Sequence, residues 1–459
     1  MRSEMRNHLT GLLLIICCLS SVSNALSAAH ISDPVAGIWR SVGYAEVLVI
    51  EDNRFVAYGE TASSLIQHSA GSRNGTVLTF DNQSGTAIVT LEGDDLYMWR
   101  NEFTFGRRYR RSSEKSLRPT PTTLDPYLNL QVAWEAFNEN YPFFELRGIN
   151  WREQYEKAIA KLKPGMTEDE LFTVIADMIA SLGNDGHAWL RKSGRAFSGA
   201  SVNPHPLRGK AQQWNQMIRE KYLNNSIERF ANNKIATGKL PDGTRYMSLQ
   251  AVAGFAETED HAKNIAAFDQ SLNKIFGQLA PGEPLVLDIR LNGGGYDDYS
   301  LMITGRLTDT PKVAFLKQPR VQRTHQYGTL QVRHVFPASG PHATGMVILL
   351  TSGLTYSGAE IFTMATMQFP NVTRVGEPTA GALSDILEFK LPNGWAMGLS
   401  NERYFTFDGV CYEDKGIPPH VEAELTLEAL EKGIDPGLEA AMKLIAERRK
   451  SSAKTGNQD

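Results

Sequence analysis

Ser357 has the chemically richest surroundings in this chain. It lies in Thr355-Tyr356-Ser357-Gly358-Ala359-Glu360, between the apolar run Met346-Val347-Ile348-Leu349-Leu350 and an apolar-periodic stretch from Gly358 to Met367. A hydroxyl there can point off the end of a strand while the open N–H groups of a helix terminus, starting with Gly358, face a developing oxyanion. The plainer reading is a helix N-cap, the commoner fate of a serine before a helix. A second place is Gly293-Gly294-Gly295, which closes the apolar run Leu285-Val286-Leu287-Asp288-Ile289. Backbone without side chains lets a ligand or a second backbone come close. Its N–H groups can complete an oxyanion hole, or the segment is simply a turn. No dinucleotide-type or Walker-type glycine pattern follows, so a nucleotide loop is not expected.

A serine nucleophile needs a neighbouring base near neutral pKa, and histidine supplies one most often. His187 stands in Asp185-Gly186-His187, just past a helical pattern and before Ala188-Trp189-Leu190. A histidine of this kind can equally be structural. It has no metal-ligand spacing and the other histidines are scattered, so neither a metal nor another cofactor is expected. Glu413 and Asp414, in Tyr412-Glu413-Asp414-Lys415-Gly416-Ile417-Pro418-Pro419, either orient such a base or lie in a solvated loop. An orienting carboxylate moves the titration of a histidine upward from its ordinary value near ~6.5.

These residues need elements to hold them. From about residue 245 the pattern is apolar run, helix, apolar run, which predicts a buried parallel βαβ arrangement. Upstream, Leu130, Trp134, Phe137 and Tyr141 share one helical face, and Leu171, Ile175, Met178 and Leu182 share another. Thr167 with Glu170 gives the second of these helices a capping-box start. Residues 203–244 are polar and read as a connection with some helix. Residues 31–112 alternate short apolar runs with turn signals, which predicts a small all-β unit. The expected layout is a signal segment at 1–28, the all-β domain at 31–112 and a linker at 113–123. A helical subdomain carrying the histidine motif at 124–202 follows, then the connection at 203–244, an α/β core at 245–449 and a polar tail at 450–459.

The 459 residues are 42% hydrophobic and 21% charged, near average globular composition, which excludes wholesale disorder, collagen and multi-span membrane classes. At roughly 100 to 200 residues per domain, this length predicts two to four domains. The formal net charge is −4 and no long single-sign run occurs, so nucleic acid is not an expected partner. Arg2 and Arg6, the run Leu12 to Leu19 and the ending Ala25-Leu26-Ser27-Ala28 read as a secretory signal. Its apolar run is far short of the ~20 residues that span a bilayer. Cleavage there removes Cys17 and Cys18 and leaves Cys411 alone, so the expected product is periplasmic or secreted, without an intramolecular disulfide or a membrane span.

Taken together and in order, Leu182 to His187, Leu287 to Gly295, Thr355 to Glu360, Val375-Gly376-Glu377-Pro378-Thr379-Ala380-Gly381 and Tyr412 to Pro419 resemble the C-terminal-processing and tricorn-core serine peptidases. That group also includes retinoid-binding modules. The resemblance covers about 125 to 440. It implies a ClpP/crotonase-like α/β catalytic core beside a helical subdomain, and the separate small all-β N-terminal domain read from the strand spacing lies outside it. It further implies Ser357 as nucleophile, with Gly358 and the glycine loop, through Gly294, as oxyanion donors. The C-terminal-processing branch carries a lysine base where this chain has Ala382, and it inserts a PDZ module for which 203–244 is too short. Both departures favour the tricorn-core branch, in which His187 matches the base and Glu413, by family position, its support. The tricorn core's serine beside the histidine is replaced here by Gly186. The expected function is an exported serine peptidase acting on peptides or unfolded polypeptide. The alternative is a non-catalytic binding protein for a hydrophobic ligand or peptide on the same scaffold.

Overall fold

The computed structural model describes residues 33–81, 85–100 and 105–455. The expected signal segment lies outside them. Period-two burial along the first strands, with Phe55 and Ala57, Leu78 and Phe80, Ala87 and Val89, and Leu96 and Met98 all turned inward, sets one apolar face against itself. The eight strands close into an up-and-down barrel: β1 (Gly37–Ser41), β2 (Glu46–Ile50), β3 (Arg54–Glu60), β4 (Leu65–Asn74), β5 (Val77–Phe80), β6 (Thr86–Glu92), β7 (Asp95–Arg100) and β8 (Arg107–Arg111), with β1 pairing β8. Closure removes the open edges a small sheet would otherwise expose.

After an irregular stretch come α1 (Pro126–Asn140), α2 (Trp151–Ile159) and α3 (Glu168–Ala180). Asp125 caps α1 through the Tyr127 N–H, with Pro126 at the first helical position. The expected capping box opens α3: Glu170 N–H donates to Thr167 Oγ1 and Thr167 N–H to Glu170 Oε2. The chain continues through β9 (Trp189–Lys192), β10 (Arg195–Ser198), α4 (Ala211–Met217), β11 (Glu228–Phe230), β12 (Ile235–Lys239), β13 (Arg245–Leu249), α5 (His261–Phe276), β14 (Leu285–Asp288), α6 (Asp297–Thr304), β15 (Lys312–Pro319), β16 (Gln331–Val335), β17 (Val347–Thr351), α7 (Gly358–Ala365) and β18 (Val372–Gly376). It ends with β19 (Ile386–Lys390), β20 (Ala396–Ser400), β21 (Glu402–Phe405), β22 (Val421–Glu422), α8 (Leu427–Lys432) and α9 (Pro436–Thr455).

The central sheet runs β11-β12-β13-β14-β17-β18-β22, parallel from β13 onward. Its central strands β14 and β17 are near-continuous apolar runs because both faces are covered. Leu285, Leu287, Val347 and Leu349 pack with α5, α6 and α7 on one side, while Val286, Ile348 and Leu350 pack with α4 and α9 on the other. The helix α7 crosses from β17 to β18, the expected βαβ unit.

Two features differ from the sequence reading. The stretch 203–244 contributes β11 and β12, the antiparallel edge of the central sheet, rather than a bare connection. The three helices are not a layer by themselves either, since β9 and β10 join β20 and β19 in the order β10-β9-β20-β19. Leu171, Phe172 and Ile175 share a core with Leu190, Leu387, Met397 and Leu399. The barrel adjoins the core through Tyr44, whose hydroxyl donates to Glu402 Oε1 at 2.5 Å, and through Gly43, whose carbonyl accepts from Asn401 Nδ2 at 3.1 Å. Among the described residues no helix is long and apolar enough to cross a membrane.

Candidate active site

The parallel strands β14 and β17 end side by side, and each releases a loop at its carboxyl end. After β17 the chain turns sharply into α7 at Ser357, whose backbone sits at φ 53° and ψ −122°. A non-glycine residue there stores strain of about 1–3 kcal/mol and needs surroundings that enforce it. The flanking hydrogen bonds do so. Ser357 N–H donates to Ala382 O at 3.1 Å, Tyr356 N–H to Asn292 O at 3.0 Å and Ala380 N–H to Thr355 O at 3.0 Å. The Thr355 hydroxyl reaches Ile289 O at 3.1 Å. The strained turn is thus clamped between the end of β14 and the loop 379–382. Among the described residues the Gly358 N–H has no hydrogen-bond partner.

Glu360, one turn into α7, is fully buried and holds this clamp together. Its carboxylate accepts from Thr379 Oγ1 at 2.6 Å, Gly381 N at 2.7 Å, Ala382 N at 2.8 Å and Ser357 N at 3.2 Å. Burial pushes the carboxyl up to about 7, against the pull of those four donors. Glu360→Ala leaves buried donors unanswered at about 1–3 kcal/mol each. The expected result is a loss of at least ~3 kcal/mol in chemical denaturation. A variant as stable as the parent would show that water replaces the carboxylate.

The glycine loop lies against the serine. A Cβ on Gly294 would stand 2.7 Å from Ser357 Cβ and from Tyr356 O, and its φ is +93°. Its N–H is engaged, donating to Asn292 Oδ1 at 2.9 Å, so an oxyanion must compete with that oxygen for it. Gly294→Ala should therefore displace the serine turn and lower kcat by roughly 100-fold or more, the scale of losing an oxyanion-hole donor. Unchanged kcat would mean that the loop does not shape the site.

His187 is buried, and its loop abuts the residue before Ser357: a Cβ on Gly186 would stand 2.7 Å from Tyr356 Cε1. That contact leaves no room for a serine at 186. Burial lowers the pKa of His187, and the negative charges of Asp185 and Asp385 oppose it only in part. This reverses the upward shift expected from sequence, because desolvation of the cation outweighs the nearby acids. Among the described residues no hydrogen bond joins His187 to Ser357 or to Glu413, and His187 Nδ1 is buried without a partner. Catalytic hydrogen bonds of this kind often tighten only when substrate is bound.

Glu413 is buried, with Oε2 accepting from Leu383 N at 2.9 Å and Ser384 N at 3.2 Å. Its Oε1 has no partner. Burial and the charge of Asp185 push its pKa well above the carboxylate range. Asp414 instead turns outward to Arg147, 2.6 Å away, from a backbone φ of 65°.

Several residues to which the sequence reading gave no role shape the site. Asp185 accepts from Tyr141 Oη at 2.6 Å and from the His187 backbone N–H at 2.9 Å, which fixes the loop carrying the imidazole. Lys317 is buried with Nζ 2.9 Å from both Asp385 and Glu402 and 3.0 Å from Tyr404 Oη. Burial works against its charge, but Asp385 and Glu402 outweigh it and hold the lysine well above its usual range. Glu360 had a local signal, its place three residues after a helix-starting serine, and Asp185 lay in the histidine motif, whereas Lys317 had none. Among the described residues no group of three His, Cys, Asp or Glu is placed to hold a metal ion.

Residues 251–423, which include the glycine loop, Ser357 and Glu413, match peptidase family S41. Residues 128–180 match the tricorn protease C1 domain. Over 174 residues the chain is 28% identical to the carboxy-terminal processing protease CtpA of Bacillus subtilis strain 168, covering 38% of this chain. The match spans about a third, 34%, of the length of that relative. The fold is also similar to that of a solved candidate peptidase of Parabacteroides merdae, with a TM-score of 0.59 and 24% identity over 70% of this chain and 97% of that one. Mature CPAF complexed with lactacystin gives a TM-score of 0.52 at 11% identity, over 73% of this chain and 100% of that one.

Proposed function

We propose that this chain is an exported serine peptidase in which Ser357 is the nucleophile and His187 its general base. The observation that carries the reading is the Ser357 turn: a strained non-glycine backbone at a strand-to-helix junction, beside an unengaged Gly358 N–H and the glycine loop. In this mechanism Ser357 Oγ attacks the peptide carbonyl as His187 takes its proton. The oxyanion is met by Gly358 N–H and, in competition with Asn292 Oδ1, by Gly294 N–H. His187 then returns the proton to the leaving amine, and water hydrolyses the acyl-enzyme by the reverse sequence. In this reading Glu413 orients the imidazole in the substrate complex by accepting Nδ1–H at Oε1, each atom being buried without a partner in the free protein, which leaves Nε2 to take the serine proton. A lysine dyad has no support, since Ala382 occupies its position and Lys317 is held as a cation by two carboxylates. The substrate is peptide or unfolded polypeptide, and the N-terminal segment directs the chain out of the cytoplasm. No cofactor enters any step.

The test is a labelled fluorophosphonate applied to the purified protein, with the modified peptide mapped by mass spectrometry and casein hydrolysis followed in parallel. Labelling at Ser357 together with loss of hydrolysis is the expected result. A protein that neither labels nor cleaves would leave the scaffold as a binding module.

A further inference from the structure

A cavity of ≈ 290 Å³ opens between α4 and the edge strands β11, β12 and β13, close to the ~300 Å³ at which ligand clefts begin. It lies on the face of the central sheet that α4 and α9 cover, opposite the face carrying α7 and Ser357. No residue of the candidate active site lines it.

The chemistry of its wall is one-sided. Gln212, Asn215, Gln216 and Gln250 bring carboxamides and Ser248 a hydroxyl. Arg219 and Arg229 bring the only charges among the described lining residues, and no carboxylate lines the cavity. Ile218, Leu223, Ile227 and Ala236 complete the wall with apolar surface.

Most of these polar groups are also uncommitted. Among the described residues, the side chains of Gln212, Asn215, Gln250, Ser248 and Arg229 make no hydrogen bond or ion pair within the protein. Gln216 is engaged, donating to Glu220 Oε1 at 2.9 Å. Arg219 Nε is buried without a partner, and Glu220 stands 3.7 Å from its Nη2, beyond hydrogen-bond reach. A buried donor left open in this way costs free energy that a bound acceptor recovers. The backbone under Arg219 is irregular as well. Beyond α4 the chain winds through one π-type turn, Ile218–Tyr222, closed by Leu223 N–H donating to Ile218 O at 3.2 Å. This turn buries Ile218 and Tyr222 and leaves Arg219 on the cavity wall. Single π turns are rare and are frequent at functional sites.

Two arginines with no carboxylate beside them in the wall select an anion, which a guanidinium fork binds bidentately when it is a carboxylate or phosphate. Carboxamides and a hydroxyl both donate and accept, so they suit a ligand body rich in hydroxyl groups. The apolar part of the wall suits the C–H face of a sugar ring. We propose that this cavity binds a monosaccharide-sized anion, a sugar acid or sugar phosphate. Arg219 and Arg229 hold its acid group, and Asn215, Gln250 and Ser248 hold its hydroxyls. The cavity is separate from Ser357, so this inference does not depend on the peptidase reading.

The test is calorimetric titration of the purified protein with glucuronate, glucose 6-phosphate, glucose and inorganic phosphate. At least one of the two charged sugars should bind at least about ten-fold tighter than both glucose and phosphate, the scale of one charge-assisted hydrogen bond. Whichever binds tighter names the acid group, and either supports the site. Arg219→Gln and Arg229→Gln, at positions that are not buried, should each weaken that binding at least about ten-fold and leave the unliganded melting temperature at the wild-type value. Ser357→Ala should bind as the wild type does. Glucose binding as tightly as its charged forms removes the arginines from the site, and phosphate binding as tightly as glucose 6-phosphate removes the sugar. No binding of any of the four at millimolar concentration removes the ligand class. Each of these overturns the proposal. So does Arg219→Gln protein with wild-type affinity, or weaker binding by Ser357→Ala, which would place the ligand in the catalytic cleft.

Discussion

Ser357→Ala is expected to lower kcat by roughly 10⁴ or more, the scale seen when a serine nucleophile is removed from an intact site. The fold should survive. The turn is held by backbone bonds from Ala382, Asn292 and Thr355 and by the Glu360 carboxylate, none of which needs the serine hydroxyl. Loss of a helix cap costs about 0.5–2 kcal/mol. The informative comparison is therefore rate against stability in one preparation. A folded variant with full hydrolysis of casein would remove Ser357 from the mechanism, whereas a collapse in stability would give the hydroxyl a structural role.

His187→Ala should cost a comparable factor, roughly 10⁴ or more in kcat/KM, because the proton of Ser357 then has no acceptor. Its pH dependence separates a base from a packing residue. Burial disfavours the imidazolium, so in the free enzyme the proton leaves below the ordinary histidine range. Only the neutral ring can accept the serine proton. The kcat/KM of the wild type should accordingly rise with pH along an acid limb lying below ~6.5 and be flat at neutrality. A lysine base would place the rise on the alkaline side. If His187→Ala keeps both the rate and the acid limb, another group is the base.

The parts that were legible in the sequence are those written in short-range pattern. The runs of β14 and β17 announced strands buried on both faces, Thr167 and Glu170 announced a helix start, and the serine, the glycines and the histidine lay in motifs of consecutive residues. What was not legible depends on partners far along the chain. β11 is three residues long and acquires its identity only by pairing with β12. Lys317 and Glu402 are 85 residues apart, and no local periodicity marks either as buried. The direction of the His187 shift failed for a related reason: sequence shows which acids are nearby in a motif, but desolvation is set by the whole packed shell. Glu413 was chosen over Asp414 by motif position, and the structure separates the pair physically by burying the first and turning the second outward to Arg147.

The hydroxyl of Tyr44 has a bearing on how the chain can be divided. Glu402 gives one oxygen to Lys317 and the other to this barrel tyrosine, so an ionic knot inside the catalytic half is finished by a residue from outside it. A version of the protein trimmed at the linker would expose Glu402 and leave one of its oxygens without its donor, a burden of about 1–3 kcal/mol, more for a charged group. That version would also open the knot to water. Any transplant of the catalytic half into another protein must therefore bring the barrel with it, or redesign Lys317, Asp385 and Glu402 together as a neutral set.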